Sequence, residues 1–190
     1  MNKSILLCGV GGQGTVLAAK ILAAAGMEKG LSVHSAETIG MAQRGGSVVS
    51  HVRIGENVHA PLIPLGTADV VISFEPGEAV RNLPYLREGG VMITAKKAVQ
   101  PVNSSLGGDS YNGDDMLAYL EKNVPNLTVI DGEDICTKLG SAKVLNIALL
   151  GAAVRSEALG FTCDEIENVI RRMVKPQFLE MNLKALSGNV

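Results

Sequence analysis

Three glycines close together, Gly9, Gly11 and Gly14, with Gly12 and Gln13 between them, are the residues whose types and spacing best match a chemical task. Gly9-Val10-Gly11-Gly12-Gln13-Gly14 reads as GxGxxG. At that spacing a backbone can turn tightly, bring its N–H groups close to an anion and let a helix pack near a strand. A side chain would obstruct all three. Ser4-Ile5-Leu6-Leu7-Cys8 before the turn has the length and apolarity of a buried strand, and Thr15-Val16-Leu17-Ala18-Ala19-Lys20-Ile21-Leu22 after it is patterned as a helix. The free N–H groups at such a helix start favour negative charge by about 0.3–1 kcal/mol, and by about 2 kcal/mol when partly buried. Phosphate-group binding is the implied chemistry; a tight turn with no nucleotide ligand is the alternative. An NAD site would add an acidic residue at the end of the second strand, and Glu37 stands there.

A second glycine turn, Gly40-Met41-Ala42-Gln43-Arg44-Gly45-Gly46, offers backbone N–H groups, with Arg44 and Arg53 on either side as guanidinium groups to grip phosphate or carboxylate. The competing account is a hairpin in which Gly45 and Gly46 supply positive φ. Ligands of open α/β sheets sit beyond the carboxyl ends of the parallel strands, an edge that should also collect Glu75, Thr94, Lys96, Lys97 and Asp131. Lys96 or Lys97 is expected to pair with an anionic ligand or with Glu75. His34, His51 and His59 have no adjacent nucleophile or metal partner, and Cys8 reads as a small buried apolar residue. There is no nucleophile elbow, no Walker lysine and no zinc spacing. Such a chain binds or completes a site rather than performing chemistry unaided.

The elements that must position these residues follow from composition and punctuation. A chain of 190 residues suits one domain, able to bury about 70% of its extended surface. With 46% hydrophobic residues but only 3% aromatic, its core must be built from Ala, Val, Ile, Leu and Met, as in helices packed on a buried sheet. The net charge of −2 leaves no basic excess for nucleic acid. Cys8, Cys136 and Cys163 lie far apart, so neither metal nor iron–sulfur ligation by this chain is expected. The first apolar run is too short for a signal core or a membrane span, and a soluble, cytoplasmic protein is expected.

Along the chain, the pattern predicts a first helix over 14–29, a strand over 31–36 and another over 47–54. No long helix separates the last two. A parallel crossover needs about a dozen or more residues, so these strands should be antiparallel neighbours in a mixed sheet. Further strands are expected over 68–75, 91–94 and 127–131, with helices over 77–87 and 113–123 and an irregular loop over 98–112. From about 141 the chain reads as helical to 155, then over 164–173 and again from Pro176, with the last helix as a protruding tail.

Taken together, Gly9–Gly14 and Glu37-Thr38-Ile39-Gly40-Met41-Ala42-Gln43-Arg44-Gly45-Gly46-Ser47-Val48 resemble the gamma-type domain of 2-oxoacid:ferredoxin oxidoreductases. The second motif is closest in wording to the small beta subunits of indolepyruvate ferredoxin oxidoreductases. The resemblance continues through Ile63-Pro64-Leu65-Gly66-Thr67-Ala68-Asp69 and Ser73-Phe74-Glu75-Pro76 and covers essentially the full length. It implies a three-layer α/β/α sandwich, Rossmann-like with a mixed, mostly parallel sheet, as one gamma-type domain over residues 1–190. It also implies a subunit of a heteromeric enzyme that converts a 2-oxoacid and coenzyme A to acyl-CoA and CO2 and reduces ferredoxin. Thiamine diphosphate and iron–sulfur clusters would reside in a large partner subunit, and coenzyme A would be the co-substrate met by this one, with a homodimer conceivable for the isolated chain. The expected cofactor contacts are Gly9, Gly11, Gly12, Gln13, Gly14, Glu37, Arg44, Gly45 and Gly46, with no catalytic or metal-binding residue. The alternative is a freestanding NAD- or FAD-binding oxidoreductase or regulator.

Overall fold

A computed structural model describes residues 1–37, 45–100 and 111–188. Six strands form one sheet: β1 (Asn2–Val10), β2 (Ser32–Glu37), β3 (Ser47–Gly55), β4 (Ala68–Ser73), β5 (Leu86–Ala95) and β6 (Leu127–Ile130), in the order β2-β3-β1-β4-β5-β6. β3 runs antiparallel to both of its neighbours, while β1, β4, β5 and β6 are mutually parallel. The sheet is therefore mixed and mostly parallel, as the short 38–46 connection requires.

β1 is the central strand, and Ile5, Leu6, Leu7 and Cys8 are all fully buried. Its alternation divides the core in two. Ile5 and Leu7 pack toward α1 (Thr15–Glu28), α5 (Leu145–Arg155), α6 (Cys163–Met173) and α7 (Pro176–Ser187), while Leu6 and Cys8 pack toward α2 (Pro76–Asn82) and α3 (Gly113–Asn123). Each such Leu or Ile contributes about 1.5–3 kcal/mol by leaving water. Two helical layers on one sheet make the α/β/α sandwich.

Five expectations change. The helix expected over 77–87 ends at Asn82 and tightens into a 3-10 turn, Leu83–Tyr85, because Pro84 has no N–H to continue an α-helix. β5 then begins at Leu86 rather than at 91, taking up Gly89 (φ 68) and Gly90 where its register against β4 shifts between Ala68 and Val70. A helix not expected from the sequence, α4 (Gly132–Leu139), follows β6. Asp131, read as the end of a strand, caps it by accepting the Asp134 N–H at 3.2 Å, and Gly140 closes it in the left-handed region. The segment 141–155 divides into a 3-10 turn, Ala142–Val144, and α5.

The fifth change concerns α7, which does not protrude. Ala185 and Leu186 are buried against α5, and Arg155 donates to the Leu186 carbonyl. A Cβ on Gly151 would stand 2.1 Å from that carbonyl oxygen, so glycine lets the two helices meet. Among the described residues no helix is long and apolar enough to cross a membrane.

Candidate functional site

The carboxyl end of β1 opens into the first glycine turn. Gly12 and Gly14 sit at φ 103 and 89, a region that L side chains rarely adopt. A Cβ on Gly9 would lie 2.7 Å from Gln13 Oε1 and 2.8 Å from Phe74 Cβ, so this glycine lets the ends of β1 and β4 come together. Gln13, expected at a cofactor, folds back instead. Its Oε1 accepts the Val10 N–H at 2.7 Å, and its Nε2 donates to the Phe74 carbonyl at 2.9 Å. Gln13 thus fixes the shape of the turn from beneath, a part that glycine spacing alone does not reveal.

The two glycine turns lie side by side. Val10 pairs with Ser47 at the end of the β1–β3 ladder, and the Gly11 N–H donates to the Gly46 carbonyl at 2.9 Å. Gly45 has φ 87, so the positive-φ account holds for it. Gly11, Gly12, Gly14, Thr15, Val16 and Val48 line an open groove of about 320 Å³. α1 starts at this groove with Gly14 as its N-cap and no side-chain cap, so its first-turn N–H groups have neither an intrahelical partner nor a capping side chain. That is the geometry of an anion site.

The other expected residues are placed differently. Glu37 ends β2, but β3 stands between β2 and β1, putting Glu37 two strand spacings, about 10 Å, from the strand that feeds the glycine turn. In a dinucleotide fold the acidic residue ends the strand adjacent to β1. Arg53 pairs in register with Ser4, at the opposite end of the sheet, and donates to the Ala60 carbonyl at 3.1 Å. Arg44 lies outside the described residues. Lys96 and Lys97 pair with Asp131 and Glu133, not with Glu75. His51 Nδ1 accepts the Ile63 N–H at 3.2 Å, and burial pushes its pKa down.

Glu75 serves another purpose. It is buried at the end of β4 and caps α2 by accepting the Glu78 N–H at 2.8 Å. It also accepts the Val99 N–H at 3.4 Å and the Tyr111 hydroxyl, whose own oxygen accepts the Gly77 N–H at 2.9 Å. Burial first, then the hydrogen bond to Glu75, pushes the Tyr111 pKa up. Glu78, also buried, accepts from the Ser47 hydroxyl at 2.6 Å and so ties α2 to the start of β3 beside Gly46. Sequence reasoning missed Ser47, Glu78 and Tyr111; only the proline and acidic residues opening α2 hinted at a capped helix.

Cys8 lies beneath this network. Burial, partly offset by a hydrogen bond with Ser73, pushes its thiol up to about 12, so the thiolate is not populated near neutral pH. At pH 8 a thiol reagent is expected to label at most Cys136 and Cys163 in the folded chain, with Cys8 reacting only after denaturation, as an absorbance titration would show. Among the described residues no cluster of His, Cys, Asp and Glu could hold a metal ion.

The described lining of the groove consists of Gly11, Gly12, Gly14, Thr15, Val16 and Val48 and carries no charged side chain. Residues 4–188 match the family model described as pyruvate ferredoxin/flavodoxin oxidoreductase. The chain belongs to that family. Within the family it is a gamma-type subunit. It is 39% identical to the indolepyruvate oxidoreductase subunit IorB of Archaeoglobus fulgidus, over 98% of this chain and 92% of that one. It is 36% identical to IorB of Thermococcus kodakarensis, over 98% and 94%. Among solved structures, the pyruvate oxidoreductase subunit PORC of Thermotoga maritima shares the fold, with a TM-score of 0.71 at 24% identity over 98% of this chain and 94% of that one. The glycine turn is framed by β3, antiparallel to β1, on one side and by β4, parallel to it, on the other.

Proposed function

We propose that this chain is the small subunit of an indolepyruvate-type ferredoxin oxidoreductase. The complex would convert an arylpyruvate and coenzyme A to acyl-CoA and CO2, with the electrons released passing to ferredoxin. A large partner subunit would carry thiamine diphosphate and the iron–sulfur clusters, and the complex would work in the cytoplasm. Residues 1–190 would act as one domain that contributes no catalytic residue. Its task is to present the groove between the two glycine turns to the phosphates of coenzyme A.

The observation that carries this reading is the uncapped start of α1 opening on the Gly11–Gly46 contact, in a chain similar to IorB subunits over nearly its full length. Family membership supports the oxidoreductase setting, and the groove supports a phosphate ester. The position of Glu37, a strand too far from the turn, weighs against the freestanding NAD-binding alternative. The test is anaerobic co-purification of the tagged chain with its large subunit, followed by indolepyruvate-dependent reduction of ferredoxin with and without coenzyme A. Turnover by the complex that depends on coenzyme A, and none by the isolated chain, is expected. Full turnover by the isolated chain, or tight binding of NAD or FAD to it in calorimetry, would overturn the proposal.

A further inference from the structure

The segment between β3 and β4, residues 56–67, lies over β3 on the α2 side of the sheet and is fixed from beneath. Arg53 and His51 share that side with Leu6, which pairs with His51 in register. Both hold the segment. Arg53 Nη1 donates to the Ala60 carbonyl at 3.1 Å, and His51 Nδ1 accepts the Ile63 N–H at 3.2 Å. Val58 and Ile63 are buried, the Gly66 N–H donates to the Pro84 carbonyl at 2.8 Å, and the Thr67 hydroxyl donates to the Pro64 carbonyl at 2.8 Å. Yet Leu62 is 62% exposed and Leu65 65%, with Pro64 exposed between them. A lone exposed leucine needs no partner, whereas an apolar run on a backbone already ordered is a surface where burial by a partner gains most.

Arg53 supplies a second observation. Its Nε is buried without a hydrogen-bond partner, the one such side-chain atom among the described residues. Nη1 is committed to Ala60, and no carboxylate among the described residues pairs with the guanidinium, in contrast to Arg87 with Asp69 and Arg172 with Glu28. A carboxylate from outside, bound along the Nε–Nη2 edge, would satisfy it. We infer that Leu62, Pro64 and Leu65, with Arg53 beside them, form the surface on which the large subunit docks, and that the large subunit meets it with an apolar groove carrying a carboxylate. The inference rests on the proposed reading of the chain as a small subunit and adds the place of contact. A second copy of this chain fits less well. A two-fold interface sets the patch against itself, and the one acidic residue of the segment, Glu56, is engaged by the amino group of Met1 at 3.6 Å.

The test is anaerobic sedimentation of the full chain with its large subunit, read as a dissociation constant. Leu62→Asp and Leu65→Asp are each expected to weaken association by at least about tenfold, and together by about a hundredfold, with the Tm of the isolated chain unchanged. Arg53→Lys keeps the charge but loses the two-pronged edge, and should cost about tenfold. Met27→Asp, a change at a similarly exposed side chain on the opposite helical layer, should associate like the parent. A double leucine variant that associates like the parent overturns the docking surface, as does equal weakening by Met27→Asp, which would make added negative charge the cause. Parent-like association of Arg53→Lys overturns the carboxylate. Self-association of the isolated parent that Leu62→Asp abolishes gives the surface to a second copy and overturns the inference too. A parent chain that does not associate with the large subunit at all instead overturns the reading of the chain as its small subunit.

Discussion

Glu75→Ala is expected to lower the stability of the chain by about 3–5 kcal/mol, seen as a fall in Tm on the order of 10 °C for a chain of this size. Glu75 is 3% exposed, and its carboxylate receives the Tyr111 hydroxyl and the N–H groups of Glu78 and Val99. Alanine leaves these donors facing a protein interior, at about 1–3 kcal/mol for each one that water does not reach. Glu75→Gln keeps one acceptor oxygen and should cost less than half as much. Thermal unfolding followed by circular dichroism separates the two variants. Equal, small effects would show that Glu75 does not join α2 to the segments at Val99 and Tyr111.

Gly14→Ala should damage both fold and binding, whereas Gly12→Ala should damage binding at a smaller cost to the fold. At Gly14 an alanine meets a positive φ, costing about 1–2 kcal/mol, and its Cβ would stand 2.8 Å from Asn146 Nδ2. Relieving the clash means moving α5 away from α1 or turning the amide away from its bond to Ile147, for a total of about 2–4 kcal/mol. At Gly12 the φ of 103 carries a similar backbone cost, but no atom lies within 4 Å of the added carbon, which occupies the groove itself. Both substitutions are expected to raise KM for coenzyme A in the complex by at least about tenfold, and only Gly14→Ala should shift Tm by more than about 5 °C. A Gly12→Ala complex with parent-like KM would show that the ligand does not use this groove.

What could be read in the sequence was local. An apolar strand running into glycines and then a helix made β1, its turn and α1 plain, and the short 38–46 connection was enough to require an antiparallel β3. The α4 helix was missed although Asp131 and Gly140 bracket it as caps, because an aspartate after Leu127–Ile130 reads equally well as the end of a strand. Gln13 carries no sign of its purpose, since its partner Phe74 is 61 residues away and becomes its neighbour only when β4 docks on β1. The same holds for Tyr111 and Glu75, 36 residues apart. The sequence offers Lys96 or Lys97 an anionic ligand or Glu75 as partner because it gives no sign of α4, which Asp131 caps and which supplies Glu133.

The place of β1 in the sheet also shapes how the protein emerges from the ribosome. β1 is synthesised before both of its partners, β3 on one edge and β4 on the other. Once Gly55 is out, β3 can cover one edge, but the other stays bare until Ser73 follows, about 18 residues and roughly 1–4 s later at ordinary synthesis speeds. During that interval Ile5, Leu6 and Leu7 form an unpaired apolar ribbon, open to nascent chains nearby. Crowded overexpression should therefore favour inclusion bodies, and slower synthesis in the cold should favour folded chain.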